Sequence, residues 1–246
     1  MMMTDLSNND SFGRTALLAG EAMMDALRHT RVLVFGVGGV GSWCVEALAR
    51  TAVGRITIVD PDRVAESNIN RQMPALTSTV GRPKVDVVAE RIADINPDAD
   101  VEAICGSYTP KSAEIFDIGS YDYVIDAIDS LDDKADLILR CTTPATAPRR
   151  AFFSSMGAAR KLDITKIAVA EFWKVEGCPL ARALRTRFRR SGVFPQRKFK
   201  CVYSPESLAH RAEGPKGVNG TFAHATATFG LMLASLVIND LYSDKQ

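Results

Sequence analysis

The sequence predicts an α/β protein: a Rossmann-like, mostly parallel, doubly wound sheet with helices on both faces and a C-terminal α+β extension. Three observations carry that reading. "RVLVFGVGGVGS" joins a β-branched run to four glycines in six positions (Gly36, Gly38, Gly39 and Gly41) and then opens a helix. "RITIVDPD" is a second such run, so a β–glycine turn–α–β unit is complete by Asp60. Strand-like and helix-like stretches then alternate, which demands crossover helices between parallel strands.

The elements follow in order. Residues 12–30 have helical apolar spacing and read as one or two short helices leading into the first strand. "SWCVEALARTAV" continues the helix after the glycines, and Gly54 beyond its end is a stop signal. A loop, "DRVAESNINRQMPALTSTVGRP", precedes an amphipathic helix from Lys84 to Ile95, stopped by Asn96-Pro97. "DVEAICGSY" is expected as a strand, "PKSAEIFDIG" as a short helix, "YDYVIDAIDS" as a strand with an acidic end, and "LDDKADLILRCTT" as a helix. Beyond residue 150 the alternation weakens: "RAFFSSMG" and "ITKIAVAEFWK" read as strands, followed by a basic segment, a glycine-rich linker "EGPKGVNG" and a final helix over 221–242. This divides the chain into a nucleotide-binding portion, 12–150, and an extension of the same domain, 151–242.

Composition narrows the class. The 246 residues are 46% hydrophobic and 24% charged with net charge +1, as in a globular protein of one large domain. "MMMTDLSNNDS" lacks a signal-peptide pattern, and the longest apolar stretch, "FGLMLASLVI", is shorter than the roughly 20 residues that span a bilayer. A buried helix is expected there, with no stable membrane insertion. The five cysteines are scattered with no CxxC pair, which argues against a disulfide scaffold or a four-cysteine zinc site and for a reducing, cytoplasmic setting.

The glycine turn is suited to a nucleotide's phosphates. Its glycines let backbone approach an anion, and the helix opening near Gly41 and Ser42 offers unpaired N–H groups and a positive dipole end. Asp60, ending the second strand, is placed for ribose hydroxyls, with Asp62 beside it. NAD and ATP both fit this much. The following loop favours a triphosphate: Asn68, Arg71 and Gln72, then Lys84 at the next helix start, supply donors and fixed cations for charge developing on phosphate. Asp129, with Ser130 after it, offers a hard oxygen ligand for magnesium at the carboxyl edge of the sheet.

These residues resemble the ubiquitin-activating-like superfamily, in "GVGGVGS", "IVDPDRVAESNINRQ", "VGRPKVDVVAERIADINP" and "DAIDS". Within it the chain is most similar to the tRNA threonylcarbamoyladenosine dehydratase branch. The supporting stretches are "FGRTALLAGEAMMDAL", "SSMGAARKLDITKI", "CPLARALRTRFRR", "CVYSPES" and "GTFAHATATFGLML", so the likeness runs from Phe12 to Leu241. The resemblance implies ATP held by Gly36 to Gly41 with Asp60 at the ribose, phosphates surrounded by Asn68, Arg71, Gln72 and Lys84, and Mg2+ on Asp129. It also implies a homodimer in which Arg14 reaches the partner's triphosphate, and a tRNA substrate, with a sulfur-transfer protein as a further partner. The expected reaction adenylates the carboxylate of the modified adenosine, after which a neighbouring atom closes a ring and expels AMP. The alternative is adenylation of a sulfur-carrier protein's C-terminus; a nicotinamide oxidoreductase or a non-catalytic nucleotide module is a third reading.

Charge supports a nucleic-acid partner. From Arg182 to Lys200 there are eight basic residues and no acidic one, which leaves −7 on the rest of the chain. Leu180, Leu184 and Phe188 recur every four residues, predicting a helix held by an apolar stripe, with Arg182, Arg185, Arg189 and Arg190 turned outward to phosphates. Cys201 and Cys178 are candidate nucleophiles, although a packed thiol is the simpler reading of each; Cys44 is expected in the core and His224 in a structural or capping role.

Overall fold

The computed structural model describes residues 11–213 and 218–244; the polar stretch 1–10, the middle of the glycine-rich linker and the last two residues lie outside the described residues. The strands are β1 (Arg31–Phe35), β2 (Arg55–Val59), β3 (Asp100–Ile104), β4 (Tyr123–Asp126), β5 (Ala151–Ser155), β6 (Ala168–Glu171) and β7 (Lys200–Tyr203). They form a single sheet in the order β3-β2-β1-β4-β5-β7-β6, parallel throughout except for β6 against β7. The helices are α1 (Gly13–Ala19), α2 (Glu21–His29), α3 (Gly41–Ala49), α4 (Lys84–Ile95), α5 (Leu131–Thr142), α6 (Pro179–Ser191) and α7 (Ala223–Ser243).

The two faces of the sheet are read off β1 itself. Val32 and Val34 enter a core with α2, α3, α4 and α7, whereas Leu33 and Phe35 enter a second core with α5 and α6. A strand buried on both faces carries no polar alternation, which is why "VLVF" is a continuous apolar run. The chain reverses its winding between β1 and β4. The loops leaving those two strands therefore open a crevice at the carboxyl edge, where sheets of this kind bind ligands.

Several local expectations are corrected. The stretch expected as one helix near 110–119 is two 3-10 turns, Ala113–Ile115 and Ile118–Ser120. Thr109 and Ser112 exchange side chain–backbone hydrogen bonds that compete with helix formation, and Phe116 turns extended (φ −93°, ψ 104°) to place its ring 5.0 Å from Phe35. The helix after the glycines ends at Ala49, and Ala52, not Gly54, takes the left-handed conformation that closes it (φ 64°). Gly54 is needed for a different reason: a Cβ there would lie 1.7 Å from the Arg28 carbonyl oxygen. The strand β7 was hidden within and after the basic run, yet it sits between β5 and β6 and joins the C-terminal segment to the sheet.

The long helix α7 is apolar enough to span a membrane by length and composition, but in this fold Ala225, Phe229, Leu233, Val237 and Leu241 are buried. It crosses α3 at Gly230, where a Cβ would lie 2.3 Å from the Val40 carbonyl oxygen and 2.8 Å from the Cys44 nitrogen. Replacing Gly by Ala in an exposed helix gains about 1 kcal/mol. At Gly230 the sign is expected to reverse, with Gly230→Ala losing about 1–3 kcal/mol through overpacking. Urea unfolding checks this, and an unchanged or raised midpoint would contradict the close crossing.

Candidate nucleotide site and basic groove

A cleft of about 1080 Å³ opens at the carboxyl edge where the loops leaving β1 and β4 part. It gathers Gly36, Gly38, Gly39, Asp60, Asp62, Asn68, Arg71, Gln72, Lys84, Asp129 and Ser130. Gly36 has φ 87°, and a Cβ on it would strike the Ala127 carbonyl at 2.8 Å, so β1 and the loop after β4 close on each other only over glycine. A Cβ on Gly41 would lie 1.8 Å from the Gly36 carbonyl oxygen, so this glycine lets α3 start against the turn, behind the cleft wall. At Gly38 and Gly39 a Cβ would meet side chains at an ordinary 3.5–3.6 Å. Protein packing does not demand glycine at these two positions, which leaves the backbone there open to close approach from the cleft.

Ser42 departs from its expected role. It is fully buried, its hydroxyl donates to the Gly38 carbonyl (2.6 Å) and accepts from the Met73 N–H (3.3 Å), so it braces the turn instead of facing the cleft. Asp60 is also braced: its two carboxylate oxygens accept from the N–H groups of Val37 (2.8 Å) and Asp62 (2.9 Å). Burial pushes the Asp60 carboxyl above the usual carboxylate range, an effect only partly offset by Lys84 and by those two N–H groups. Lys84 is 4% exposed, bonded to Asp62 at 2.7 Å and 3.9 Å from Asp60.

Arg71 is held from behind. Its carbonyl accepts from Trp43 Nε1 (3.3 Å) and Thr226 Oγ1 (3.5 Å), so α3 and α7 jointly set its position. Its guanidinium donates to the Ser67 carbonyl and Asn70 Oδ1, both neutral groups, and its charge stays available to an anion. Asn68 is used locally, accepting the Ala65 N–H at 3.1 Å. Gln72 Oε1 is buried with no hydrogen-bond partner, an orphaned polar atom on the cleft wall that a ligand donor would satisfy.

Two residues that sequence reasoning missed organise the loop carrying Asp129. Asp126 and Lys134 are both fully buried and paired at 2.8 Å. Asp126 also accepts from Ser154 Oγ (2.7 Å) and the Ile128 N–H (3.1 Å), while Lys134 donates to the Ile128 carbonyl (2.9 Å). The sequence signal was a lysine falling among the apolar positions of "LDDKADLILRC". Exposed Asp129 and Ser130 ride on this support at the mouth of the cleft. Among the described residues no group of three or more metal-ligating side chains occurs, so a magnesium ion here would have Asp129 as its protein carboxylate and take waters or ligand oxygens for its remaining positions.

The other expectations divide. Arg14 lies on α1, exposed and outside its own chain's cleft. Cys201 is not an accessible nucleophile: it is fully buried on β7, and burial drives its thiol well above the usual range. Cys178 and Cys44 are buried as well. His224 Nε2 donates to the Leu162 carbonyl (2.9 Å), a structural tie at the start of α7. On α6, Ala181, Leu184 and Phe188 face the core and Arg182, Arg189 and Arg190 are exposed. Arg185 does not project outward. Its guanidinium donates to the Phe172 and Val175 carbonyls (3.2 and 2.7 Å) and packs over the Phe172 ring. Arg187 pairs with Asp132 on α5, and a groove of about 650 Å³ between these helices is lined by Arg182, Arg187 and Arg190.

Fold and cleft together define a Rossmann-like nucleotide-binding protein with Arg71 and Lys84 gathered on one cleft. The chain belongs to the ThiF family, which it matches over residues 12–244. It is 43% identical to the tRNA threonylcarbamoyladenosine dehydratase of Bacillus subtilis, covering 95% of each chain. The crystal structure of Escherichia coli tRNA N6-threonylcarbamoyladenosine dehydratase in complex with ATP superposes with a TM-score of 0.86 at 37% identity, covering 100% of this chain and 98% of that one. The likeness to the molybdopterin-synthase adenylyltransferase of Salmonella typhimurium, 35% identical, covers only 57% of this chain and 52% of the relative.

The Asp126–Lys134 pair generates a prediction. Lys134→Met leaves a buried carboxylate without its cation and is expected to cost about 3–5 kcal/mol. Adding Asp126→Leu removes the stranded charge and should restore much of that stability. Nucleotide affinity should stay low in the double variant, because the 127–130 loop has lost both anchors. Denaturant titration with ATP-binding isotherms checks this; restored affinity would show that the pair does not position the loop.

Proposed function

We propose that the protein is an ATP-dependent tRNA threonylcarbamoyladenosine dehydratase. The observation that carries this reading is the convergence of Gly38, Gly39, Arg71, Lys84 and Asp129 on one cleft, in a chain that matches bacterial dehydratases along nearly its whole length. The carboxylate of the modified adenosine is a poor acyl donor, because its leaving group would be an oxide. Attack of a carboxylate oxygen on the α-phosphorus of ATP forms an acyl-adenylate as the bond to pyrophosphate breaks. A nucleophilic atom of the same side chain then attacks the carbonyl, loses its proton and expels AMP, closing the ring. The net change in the tRNA is loss of one water. High effective molarity drives the closure, so no enzyme nucleophile is required.

The residues divide the work. Arg71 and Lys84 hold phosphate oxygens as charge builds on them, with the glycine turn and the α3 N-terminus against the chain of phosphates. Asp60 and Asp62 lie at the ribose end, and Asn68 and Gln72 complete the wall. Asp129 would hold magnesium, which when bound supplies further charge stabilisation at the phosphates. Residues 12–150 thus bind the nucleotide, while 151–242 present the tRNA. Adenylation of a carrier protein's C-terminus uses the same chemistry and is the rival reading; its adenylyltransferase relative aligns with little more than half of this chain. Pyrophosphate exchange with modified tRNA, and its absence with carrier proteins, is the expected discriminating result.

Asp129 is exposed, so Asp129→Ala should leave thermal stability unchanged while slowing adenylation by about 2.7–4 kcal/mol of barrier. Unaltered pyrophosphate release from the purified variant would remove Asp129 from the site. Lys84→Ala should lose activity and some stability together, since it strips buried Asp60 of its cation.

A homodimer suits α1, whose Leu17 and Leu18 are 72% and 83% exposed and whose Arg14 has no place in its own cleft. If Arg14 serves the partner's site, mixing Arg14→Ala chains with Lys84→Ala chains should restore one working site per mixed dimer. Mixtures no more active than either parent variant would contradict it.

The basic face of α6 should engage the tRNA backbone. Replacing Arg182, Arg189 and Arg190 with glutamine should reduce the slope of log affinity against log salt by roughly 2–3, at about 0.7–0.9 per lost phosphate contact. ATP affinity should not change. Equal slopes for variant and parent would take this face out of the tRNA site.

A further inference from the structure

The cleft has a second wall that the nucleotide residues leave unexplained. It is built by Gly157 to Lys161 after β5, with Ser207, Asn219 and Thr221. Arg160 occupies the left-handed region (φ 62°), uncommon for a side-chain-bearing residue and sustained only by its surroundings. Those surroundings are visible: the Arg160 N–H donates to the Gly220 carbonyl (2.9 Å) and its own carbonyl accepts from the Leu208 N–H (3.1 Å). The turn carries the next residue, Lys161, into the interior, where it is only 2% exposed.

Lys161 Nζ donates to the carbonyls of Ser204 (3.0 Å) and Glu206. An ammonium has three N–H donors, so one is left over. Among the described residues no carboxylate pairs with it; the carboxylate of Glu206 is turned to the N–H groups of Leu162 and Asp163 and to Lys166. Burial pushes the Lys161 pKa below the usual lysine range, the mark of a cation lacking a full counter-charge. A buried cation is costly unless paired, and what this one lacks is an anion. On the same wall, the Thr221 hydroxyl is buried with no hydrogen-bond partner.

Topology separates this cation from the phosphate cations. Lys84 belongs to the β2 side of the β1–β4 crevice, through its contacts with Asp60 and Asp62, whereas Lys161 follows β5 on the other side. Adenylation has to bring two anions together, a triphosphate and a carboxylate. A cation on each side of the crevice meets that need.

We propose that Lys161, with the Thr221 hydroxyl as a second donor, binds the carboxylate of the tRNA-borne threonylcarbamoyl group that is to be adenylated. The assignment rests on the dehydratase reading above and adds the residue that recognises the acyl substrate.

The test uses the full-length protein with α,β-methylene ATP and two RNA stem-loops of identical sequence. One carries threonylcarbamoyladenosine and the other its carboxamide, which keeps the shape but not the charge. The parent should bind the carboxylate form roughly tenfold or more tightly than the carboxamide, the scale of a charge-assisted hydrogen bond. Lys161→Gln retains a donor for the Ser204 and Glu206 carbonyls and should abolish that preference while binding the carboxamide about as well as the parent. A merely structural lysine would lower affinity for both RNAs and leave their ratio intact. Equal binding of the two RNAs by the parent, or an unchanged preference in a folded Lys161→Gln, would overturn the proposal. Should that variant not fold, the lysine Nζ resonances of the isotope-labelled parent decide: a lysine signal displaced by the carboxylate RNA alone supports it, and equal responses to both RNAs overturn it. Failure of the parent to convert modified tRNA with ATP would instead count against the dehydratase reading itself.

Discussion

The buried pair of Asp126 and Lys134 is the constraint on which the site depends. Two charges fully removed from water are a poor source of net stability, because desolvation offsets most of their attraction. Their value lies in geometry. Through the Ile128 N–H and carbonyl they fix the loop that leaves β4, and through Ser154 they tie it to β5. That loop also presents the Ala127 carbonyl against which Gly36 must fit. The glycine turn after β1 and the acidic loop after β4 are thus held in register by one buried ionic contact and one glycine without room for a Cβ.

The remaining charges are arranged around that frame from distant parts of the chain. Lys84 starts α4 and reaches back to the acidic residues after β2, while Arg71 is positioned by α3 and by α7, more than 150 residues later in sequence. The C-terminal helix is therefore part of the site's support. Its close crossing at Gly230 connects packing in the core to the placement of Arg71 on the cleft. Arg71 is the more exposed of the two cations and is partnered by neutral oxygens, whereas Lys84 is already satisfied by carboxylates. A bound triphosphate would shift that balance most at Arg71.

Much of this was legible in the sequence where a physical signal is local. The glycine spacing, the β-branched runs of β1 and β2, and the amphipathic Lys84–Ile95 helix each carry their own pattern, and each appears as expected. Nonlocal features were not legible. The short strand β7 lies at the end of a strongly basic run, and only its neighbours β5 and β6 make it a strand. The apolar stripe of α6 was correctly placed, but spacing cannot show that Arg185 bends back to the carbonyls of Phe172 and Val175. Ser42 and Cys201 belonged to suggestive motifs and proved to be buried supports. The roles of Asp126, Lys134 and Lys161 are not legible in the sequence, because a charged residue reads as solvent-facing until its burial is known.

Everything above converges on a carboxylate of tRNA that is activated at this cleft and then closes on itself. The most direct measurement incubates purified protein with ATP and tRNA bearing threonylcarbamoyladenosine, followed by nucleoside mass analysis and quantitation of AMP. The expected result is loss of one water from the modified nucleoside, matched one for one by AMP and pyrophosphate, with no conversion when ATP is withheld. An unchanged nucleoside, with AMP released only when a carrier protein is supplied, would contradict it.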